Sequence, residues 1–380
     1  MKRIFTLISL FITLNSIFLA TTALPANAAI TAKPMVQVAT VDSAAVGVAV
    51  SGNQIAVFGN REKNGFVQFV NGPTVELVGG VESFVSAATV DAEGNFIFVG
   101  AGANPIVGTL PPISGILNPD NVIPDPVSSN KSDAVNIWYW KLNSTGEILD
   151  SSSMMMASAT IPTSVISDKF GFTISGTTFT DPGNSGFVTN WNGKPTLIGK
   201  SSTQVFAMSR SSDGGVVLVG QSAETLMGKP LRGKVDGFLA KVINGKITLL
   251  QRSSESRANR AWRSATSNLL LGGYSNSSAA ITKFTNSFAP TWTDRYPATG
   301  SALTATVGKL NYGAFVSTGA FKSLPSWKRK GAVLLLTFDT KGLIVAANYV
   351  NSPTLTALTA NNLLGPVVLA GGFLYRTNVG

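Results

Sequence analysis

The segment Gly215-Val-Val-Leu-Val-Gly220, a short apolar run that ends in glycine, is one of seven similar stretches in a chain of 380 residues. Each of the seven follows a polar turn and ends at glycine or at a step that contains glycine. The other six are Gln54-Ile-Ala-Val-Phe-Gly59, Asn95-Phe-Ile-Phe-Val-Gly100, Gly171-Phe-Thr-Ile-Ser-Gly176, Leu269-Leu-Leu-Gly-Gly273, Gly313-Ala-Phe-Val-Ser-Thr-Gly319 and Pro366-Val-Val-Leu-Ala-Gly371. Five of the six intervals between their final glycines measure 41 to 53 residues and the sixth measures 76, a spacing that indicates a repeat fold.

A second half follows each of the first six stretches and consists of a strand pattern, a turn and a further strand pattern. In three repeats this turn is Asn-Gly, at Asn71-Gly72, Asn192-Gly193 and Asn244-Gly245. Asn-Gly favours the type I′ hairpin, because both central residues of that turn take positive φ. Each complete repeat therefore predicts two hairpins in series, which is four antiparallel strands.

Four-stranded units in series predict an all-β chain folded as a seven-bladed β-propeller. The seventh repeat ends at Gly380 after its first hairpin, which would leave a sheet edge unpaired. Met35-Val-Gln-Val-Ala-Thr-Val41 reads as the missing strand, so we expect it to pair with residues 365–374 and to close the ring. An eight-bladed ring and two β-sandwiches in series are the alternative architectures.

The fourth repeat resembles the unit of secreted bacterial β-propeller repeat proteins. Ser212-Asp-Gly-Gly215 leads into the run ending at Gly220, and Asp236-Gly-Phe-Leu-Ala-Lys-Val-Ile-Asn-Gly245 follows. The family unit has the form Asp-Gly-Gly, an apolar run and Gly, then Asp-Gly-Phe, a Lys and a closing Gly. Lys141 and Lys283 keep that lysine in two other repeats, whereas the first, third and sixth repeats lose it. The resemblance implies the propeller fold and no single activity.

The beginning of the chain predicts export. Met1-Lys2-Arg3 precedes the apolar run from Ile4 to Ala20, and Pro25-Ala-Asn-Ala28 supplies a small-residue cleavage site. We expect a secretory signal peptide over residues 1–28, a single propeller domain over residues 29–380 and a secreted or cell-envelope location. Because no later stretch reaches about 18 apolar residues, no membrane span is expected in the mature chain.

The interval of 76 residues contains a proline-rich insertion, residues 101–133, which has no strand pattern of its own. Its six prolines are Pro105, Pro111, Pro112, Pro119, Pro124 and Pro126. Such a segment is expected to be extended and stiff. A tolerated surface insertion and a lid or partner-docking arm are both consistent with it.

Histidine and cysteine are absent from the whole sequence. Their absence excludes disulfides, Ser-His-Asp and Cys-His catalysis, and zinc sites of the usual kinds. The 19 acidic residues form no pair at a suggestive spacing. Asp91, Asp168 and Asp213 occupy equivalent turns, where we expect them to accept hydrogen bonds from their own backbone. We predict no metal site and no cofactor.

Positive charge is concentrated in three loop segments of the fourth to sixth repeats. Segments 221–235, 250–263 and 321–331 hold eleven Lys or Arg residues against two Glu, in a chain of formal net charge +10. We predict that these loops converge into a surface for an anionic ligand, with two tryptophans that stack on a sugar or base. The residues of this surface are Lys229, Arg232, Lys234, Arg257, Arg260, Trp262, Arg263, Trp327, Lys328, Arg329 and Lys330.

The sequence thus favours a non-catalytic binding or scaffold module for an anionic cell-envelope glycan, a phosphate polymer or an anionic protein. A surface charge that serves only solubility is the simplest alternative. The other alternative is a polysaccharide hydrolase or lyase that uses carboxylate or tyrosine chemistry at the mouth of the central channel. No nucleic-acid partner is expected, because no nucleic-acid-binding motif is present.

Overall fold

A computed structural model describes residues 30–103, 134–181 and 183–378. Within these ranges the chain forms strands and turns and contains no helix, and hence no helix suited to crossing a membrane. The all-β prediction is confirmed. The predicted signal peptide and residues 104–133 of the predicted insertion lie outside the described residues. The first three residues of that insertion, Ala101 to Ala103, are the end of a strand.

Two short strands open the described chain, β1 (Lys33–Pro34) and β2 (Val36–Thr40). Four sheets of four consecutive antiparallel strands follow, and each is an up-and-down meander. Their strands are β3 (Ala45–Ser51), β4 (Gln54–Arg61), β5 (Asn64–Phe69) and β6 (Thr74–Leu77); β7 (Glu82–Val90), β8 (Phe96–Ala103), β9 (Asn136–Leu142) and β10 (Ile148–Met155); β11 (Thr160–Asp168), β12 (Gly171–Thr180), β13 (Gly183–Asn190) and β14 (Thr196–Ile198); and β15 (Thr203–Arg210), β16 (Val216–Ser222), β17 (Asp236–Ile243) and β18 (Lys246–Ser253).

The next two groups of strands share one long strand, which sequence reasoning did not anticipate. The first part of β22 pairs with β21 and its second part with β23, so both groups belong to an eight-stranded sheet that also carries β1. The register breaks between Thr299 and Leu303, where Gly300 has a φ of +81°. The strands are β19 (Arg260–Ala265), β20 (Leu270–Ser275), β21 (Ser278–Phe284), β22 (Pro290–Val307), β23 (Leu310–Ser317), β24 (Ala332–Phe338) and β25 (Ile344–Val350).

The last sheet combines the two ends of the described chain. It contains β26 (Ala357–Asn361), β27 (Gly365–Ala370) and β28 (Phe373–Arg376), with β2 antiparallel to β28 at its outer edge. Val36 lies opposite Arg376, and Thr40 lies opposite Phe373. The edge that the seventh repeat would leave open is therefore paired with the N-terminal strand.

In five of the groups, a glycine in the second strand faces a β-bulge in the first strand. An added Cβ would lie only 1.7 to 2.3 Å from a carbonyl oxygen of the bulged strand. The glycines and those oxygens are Gly59 and Ala44, Gly100 and Phe84, Gly176 and Ile161, Gly220 and Gln204, and Gly273 and Ala261. This crowding gives the repeated glycine its physical reason, because any side chain would push the two strands apart.

The other two repeated glycines have a different role. Gly319 follows β23 with a φ of +148°, and Gly371 lies in the β27–β28 turn with a φ of +58°. These two positions therefore require glycine for its backbone freedom rather than for its small size. The seven stretches are similar in sequence but only five are equivalent in structure.

Each bulge adds one residue to a first strand, and two of these residues, Ser86 and Thr163, contact the first strand of the next group. Ser86 Oγ donates to the Pro162 carbonyl at 2.5 Å, and Thr163 Oγ1 donates to the Val205 carbonyl at 2.9 Å. The bulge thereby ties neighbouring groups together as well as bending its own strand.

Apolar clusters fill the spaces between groups. Among the described residues there are seven such clusters, and each combines side chains from two groups that are neighbours. One of them joins Val57 of the first sheet to Val367 of the last. The first strands also contact one another in series, from β3 through β7, β11, β15, β19, β22 and β26 back to β3.

The three Asn-Gly turns differ from one another. Asn244 and Gly245 both have positive φ, at 49° and 72°, and they join Ile243 to Lys246 as the predicted two-residue hairpin. In the other two turns only the asparagine has positive φ, at 61° for Asn71 and 58° for Asn192. The type I′ prediction is wrong for those two, because their loops are longer than two residues.

Replacing Gly220 by alanine tests the contact between glycine and bulge. The new Cβ would lie 1.9 Å from the Gln204 oxygen and 3.1 Å from the Phe238 ring. We expect a loss of about 3 kcal/mol in the free energy of unfolding, measured with urea. Gly308→Ala is the control, since Gly308 has a φ of +57° and open space around it; it should lose about 1 kcal/mol. Equal losses in the two variants would contradict the steric explanation.

Candidate ligand-binding face

The predicted basic segments centre on three loops: 223–235 between β16 and β17, 254–259 between β18 and β19, and 318–331 between β23 and β24. The expectation of a loop is wrong for most of segment 250–263, because Arg252 lies on β18 and Arg260 and Arg263 lie on β19. The first two loops adjoin, since the Lys234 N–H donates to the Ala258 carbonyl at 3.0 Å and the Arg260 N–H to the Val235 carbonyl at 2.9 Å. The third loop contacts other parts of the chain, including Ile30 through Ser326 Oγ. The structure thus brings two of the three predicted segments into contact.

A buried carboxylate, Asp236, holds the first loop in place. It accepts hydrogen bonds from the Arg232 and Gly233 N–H groups at 3.0 and 2.9 Å, from Ser254 Oγ at 2.9 Å and from Arg252 Nε at 3.0 Å. Burial opposes the charge, but these donors and the Arg252 guanidinium hold the pKa of Asp236 below its ordinary value. The other guanidinium donors of Arg252 go to the main-chain oxygens of Ser222, Glu224 and Lys229.

A second carboxylate, Glu224, ties this loop to the preceding connection between sheets. It accepts the N–H groups of Lys200, Ser201 and Ser202 at 2.9 to 3.1 Å and the hydroxyl of Thr203 at 2.7 Å. Burial acts to raise the pKa of Glu224, but these donors outweigh it and lower the pKa to about 2. Both acidic groups near the first loop therefore serve the loop's own structure.

Five of the predicted cations are exposed and form no ion pair with any described residue. They are Arg232, Lys234, Arg257, Lys328 and Lys330. Lys229 is also exposed, but its Nζ donates to the Leu250 carbonyl. Arg329 lies 4.5 Å from the ring of Tyr349 and donates to its hydroxyl at 3.2 Å. Exposed cations without carboxylate partners keep their full attraction for an anion.

Neither predicted tryptophan is available to a ligand. Trp262 is fully buried in the cluster between the fourth sheet and β19–β22, and Trp327 is 3% exposed. Trp327 Nε1 donates to Ser317 Oγ at 2.8 Å. The expected stacking role is wrong for both rings, because packing between sheets covers their faces.

Arg260 and Arg263 face different surroundings although both belong to β19. The Arg263 guanidinium lies 3.6 Å from the centroid of the Phe206 ring, in contact with the neighbouring first strand and away from the loops. The Arg260 guanidinium is 4.8 Å from the Trp262 ring and is largely buried. It borders a cavity with two other arginines in its wall. Arg252 belongs to the same predicted segment, 250–263, whereas Arg295 lies outside the three segments and gave no sequence signal of proximity.

The aspartates of the equivalent turns are structural, as predicted. Asp91 Oδ1 accepts the Asn95 N–H at 2.8 Å, Asp168 Oδ1 accepts the Phe170 N–H at 2.9 Å, and Asp213 Oδ1 accepts the Gly215 N–H at 3.2 Å. Each also pairs with a cation, and the partners are Lys141, Arg210 and Lys241. Over residues 30–103, 134–181 and 183–378, no group of three or more acidic side chains could hold a metal ion.

Tyrosine chemistry gains no support from the tyrosines with shifted pKa values. Burial and the contact with Asp150 raise the pKa of Tyr139 to about 12. Burial also raises the pKa of Tyr296, Tyr312 and Tyr375. A tyrosine that acts as a general base needs a lowered pKa, so these shifts go in the unfavourable direction.

Comparison with protein-family models and with curated proteins finds no match. Solved structures, in contrast, resemble this chain in fold. Virginiamycin B lyase from Staphylococcus aureus aligns at a TM-score of 0.54 with 9% identity, over 90% of this chain and 98% of the lyase. The WD40 β-propeller domain of Doa1 aligns at 0.53 with 9% identity, over 91% and 96%. A chain of the mitotic checkpoint complex aligns at 0.50 with 11% identity, over 91% and 94%.

These likenesses show that the fold is a β-propeller, and identities of 9 to 11% carry nothing beyond the fold. A further structure is a catalytically inactive histidine-to-alanine variant of the lyase with quinupristin, at a TM-score of 0.52. The present chain has no histidine at any position. A histidine that the lyase needs therefore has no counterpart here.

The Glu224 network predicts a pH-dependent contribution to stability. Because the folded-state pKa is lowered, the contribution is present above the ordinary pKa of 4.5 and is lost as pH falls toward about 2. Glu224→Gln should lose about 2 kcal/mol at pH 7, and the two proteins should approach equal stability near pH 2. The measurement is urea unfolding at a series of pH values. Glu62→Gln, at an exposed turn residue, is the control and should follow wild type throughout. A Glu224→Gln deficit that is the same at every pH would contradict the role of its charge.

Proposed function

We propose that this chain is an exported, seven-bladed β-propeller that acts as a non-catalytic binding or scaffold module for an anionic ligand. The observation that carries the proposal is a group of exposed cations on the β16–β17, β18–β19 and β23–β24 loops that form no ion pair with the described part of the chain. Export rests on the N-terminal sequence, with its apolar run and small-residue cleavage site.

Three features support seven blades around one axis. Taking β22 as the fourth strand of one blade and the first of the next gives every blade four strands. The apolar clusters and the contacts between first strands both run as closed series from the first sheet to the last and back. The pairing of β2 with β28 completes the last blade and joins the ends of the domain.

In the proposed ring, the meander within each blade supports a common face for the basic loops. Strand direction alternates, so the connection from second to third strand leaves the sheet at the same end as the connection to the next blade. The β16–β17, β18–β19 and β23–β24 loops are connections of these two kinds. Exposed Lys309 and Lys341 are in the other turns, and exposed Lys246 directly follows one, so these three belong to the opposite face.

The ligand class is an anionic polymer of the cell envelope, either a glycan with acidic groups or a phosphate polymer. A polymer carries many charges and can contact several cations at once. Exposed cations that are spread over several loops therefore suit a polymer better than a small ligand that needs one deep site. One solved neighbour is a chain of a multiprotein complex, so an anionic protein is the other outcome to test.

Reversing the charge of the β23–β24 loop tests the basic face. We expect Lys328→Glu, Arg329→Glu and Lys330→Glu together to weaken binding of residues 29–380 to poly(glycerol phosphate) or polygalacturonate by about tenfold or more. Wild-type binding should also weaken steeply between about 20 and 300 mM NaCl, because salt shortens the range of the attraction. Titration calorimetry measures both effects.

The matched control reverses Lys246, Lys309 and Lys341, which changes the net charge by the same amount on the opposite face. That variant should retain wild-type affinity at each salt concentration. Equal loss in both triple variants would mean that overall charge and not this face attracts the polymer. Unchanged binding in the loop variant would remove the β23–β24 loop from the binding surface.

A further inference from the structure

A cavity of about 350 Å³ lies between the outer strand β18 of the fourth sheet and strands β19, β21 and β22. Three arginines line it, Arg252, Arg260 and Arg295, together with hydroxyl side chains that include Thr282 and Thr293. Three guanidinium groups around one cavity produce a positive field inside it unless each has its own carboxylate.

Two of the three arginines have such a carboxylate. Arg252 Nε is 3.0 Å from Asp236 Oδ2, and the two terminal nitrogens of Arg295 are 2.7 and 3.2 Å from the carboxylate oxygens of Glu255. Ser275 Oγ also donates to Glu255, at 2.9 Å. Asp236 and Glu255 are therefore already engaged.

Arg260 has no such partner among the described residues. The residue is only 8% exposed, and within the described part of the chain its Nε makes no hydrogen bond and no carboxylate oxygen lies within 4 Å of its guanidinium. Burial and the Arg295 charge lower the pKa of Arg260, and Glu255 opposes that effect from a distance. A buried charge without a partner is costly and calls for an explanation.

Further unused donors lie close by. The ring of Trp262 lies beneath the Arg260 guanidinium, and its indole Nε1 is buried and finds no hydrogen-bond partner in residues 30–103, 134–181 and 183–378. On the cavity wall, Thr282 Oγ1 and Thr293 Oγ1 are 3.0 Å apart and share one hydrogen bond. Whichever of these hydroxyls accepts that bond still has its own O–H to donate.

We propose that this cavity is a binding site for a single oxyanion, a phosphate, sulfate or carboxylate group, with the Arg260 guanidinium as its main partner. The anion supplies the missing negative charge and accepts the unused Nε–H, while a threonine hydroxyl and the rim residue Arg295 assist. Oxyanions match the planar donor fork of arginine, which favours them over halides.

This inference deepens the proposed function, because it gives one acidic group of the polymer a defined binding site. It rests on the proposed function only for the source of the anion. Anion binding in the cavity itself is testable with free anions. Four probes distinguish the possible sources of the oxyanion. Phosphate and sulfate represent inorganic anions, glycerol phosphate represents a phosphate polymer, and glucuronate represents an acidic glycan.

The test measures thermal unfolding of residues 29–380 with each anion against chloride at constant ionic strength. Wild type should gain about 2 °C in Tm when an anion is tenfold above its Kd. Arg260→Met keeps the stem that packs on Trp262 but removes the charge. That variant should lose the anion-dependent rise and should be at least as stable as wild type without anion, because the unpaired charge is gone.

Lys246→Met is the control for removing a cation elsewhere and should keep the full anion-dependent rise. An Arg260→Met variant that is less stable without anion but still responds to phosphate would overturn the inference, as would a wild type that responds to the four anions no more than to chloride. The pocket is tested with free anions and the basic loops with polymers, so a failure of one proposal is distinguishable from a failure of the other.

Discussion

The close approach of a bulged first strand to a glycine in the second strand is the constraint on which the rest of the structure depends. At Gly100 a Cβ would lie 1.7 Å from the Phe84 carbonyl oxygen, so only glycine lets the bulge form there. The bulge in turn presents Ser86 to the Pro162 carbonyl of the next sheet. One glycine thus determines the shape of its own sheet and the contact of that sheet with its neighbour. Repetition of this contact between glycine and bulge accounts for the period in the sequence.

Sequence reasoning reached the strands, the four-stranded groups and the pairing of β2 with the end of the chain, because these depend on local pattern and on chain order. It treated Gly319 and Gly371 as equivalents of Gly100, because a glycine needed for positive φ looks the same in sequence as one needed for space. It also missed the continuity of β22. The pairing of one long strand with β21 along its first part and with β23 along its second part depends on how the two groups join, which the pattern of single residues does not record.

The predicted cations of the candidate site differ in whether they have an ion-pair or hydrogen-bond partner. The sequence does not contain this property. Arg252 donates to Asp236 and to main-chain oxygens. Among the residues that the structure describes, exposed Lys328 and Lys330 have no ion pair, and Arg260 is buried without one. A count of charges gives these residues equal weight. Only the fold separates a cation that supports a loop from one that is free to hold a ligand, and it also removes the tryptophans from the surface.

Closure of the sheets into a ring is the claim that the assignment of faces requires, and a disulfide between β2 and β28 tests it most directly. The Val41 N–H donates to the Gly372 carbonyl at 3.0 Å, which makes Thr40 and Phe373 a non-hydrogen-bonded pair with Cα atoms about 4.5 Å apart, within disulfide range. The chain has no cysteine of its own, so Thr40→Cys with Phe373→Cys can form only this bond within one chain. We expect the disulfide to form under mild oxidation and to raise the unfolding midpoint. Two thiols that stay free and react separately with a thiol reagent in the folded protein would contradict the closed ring.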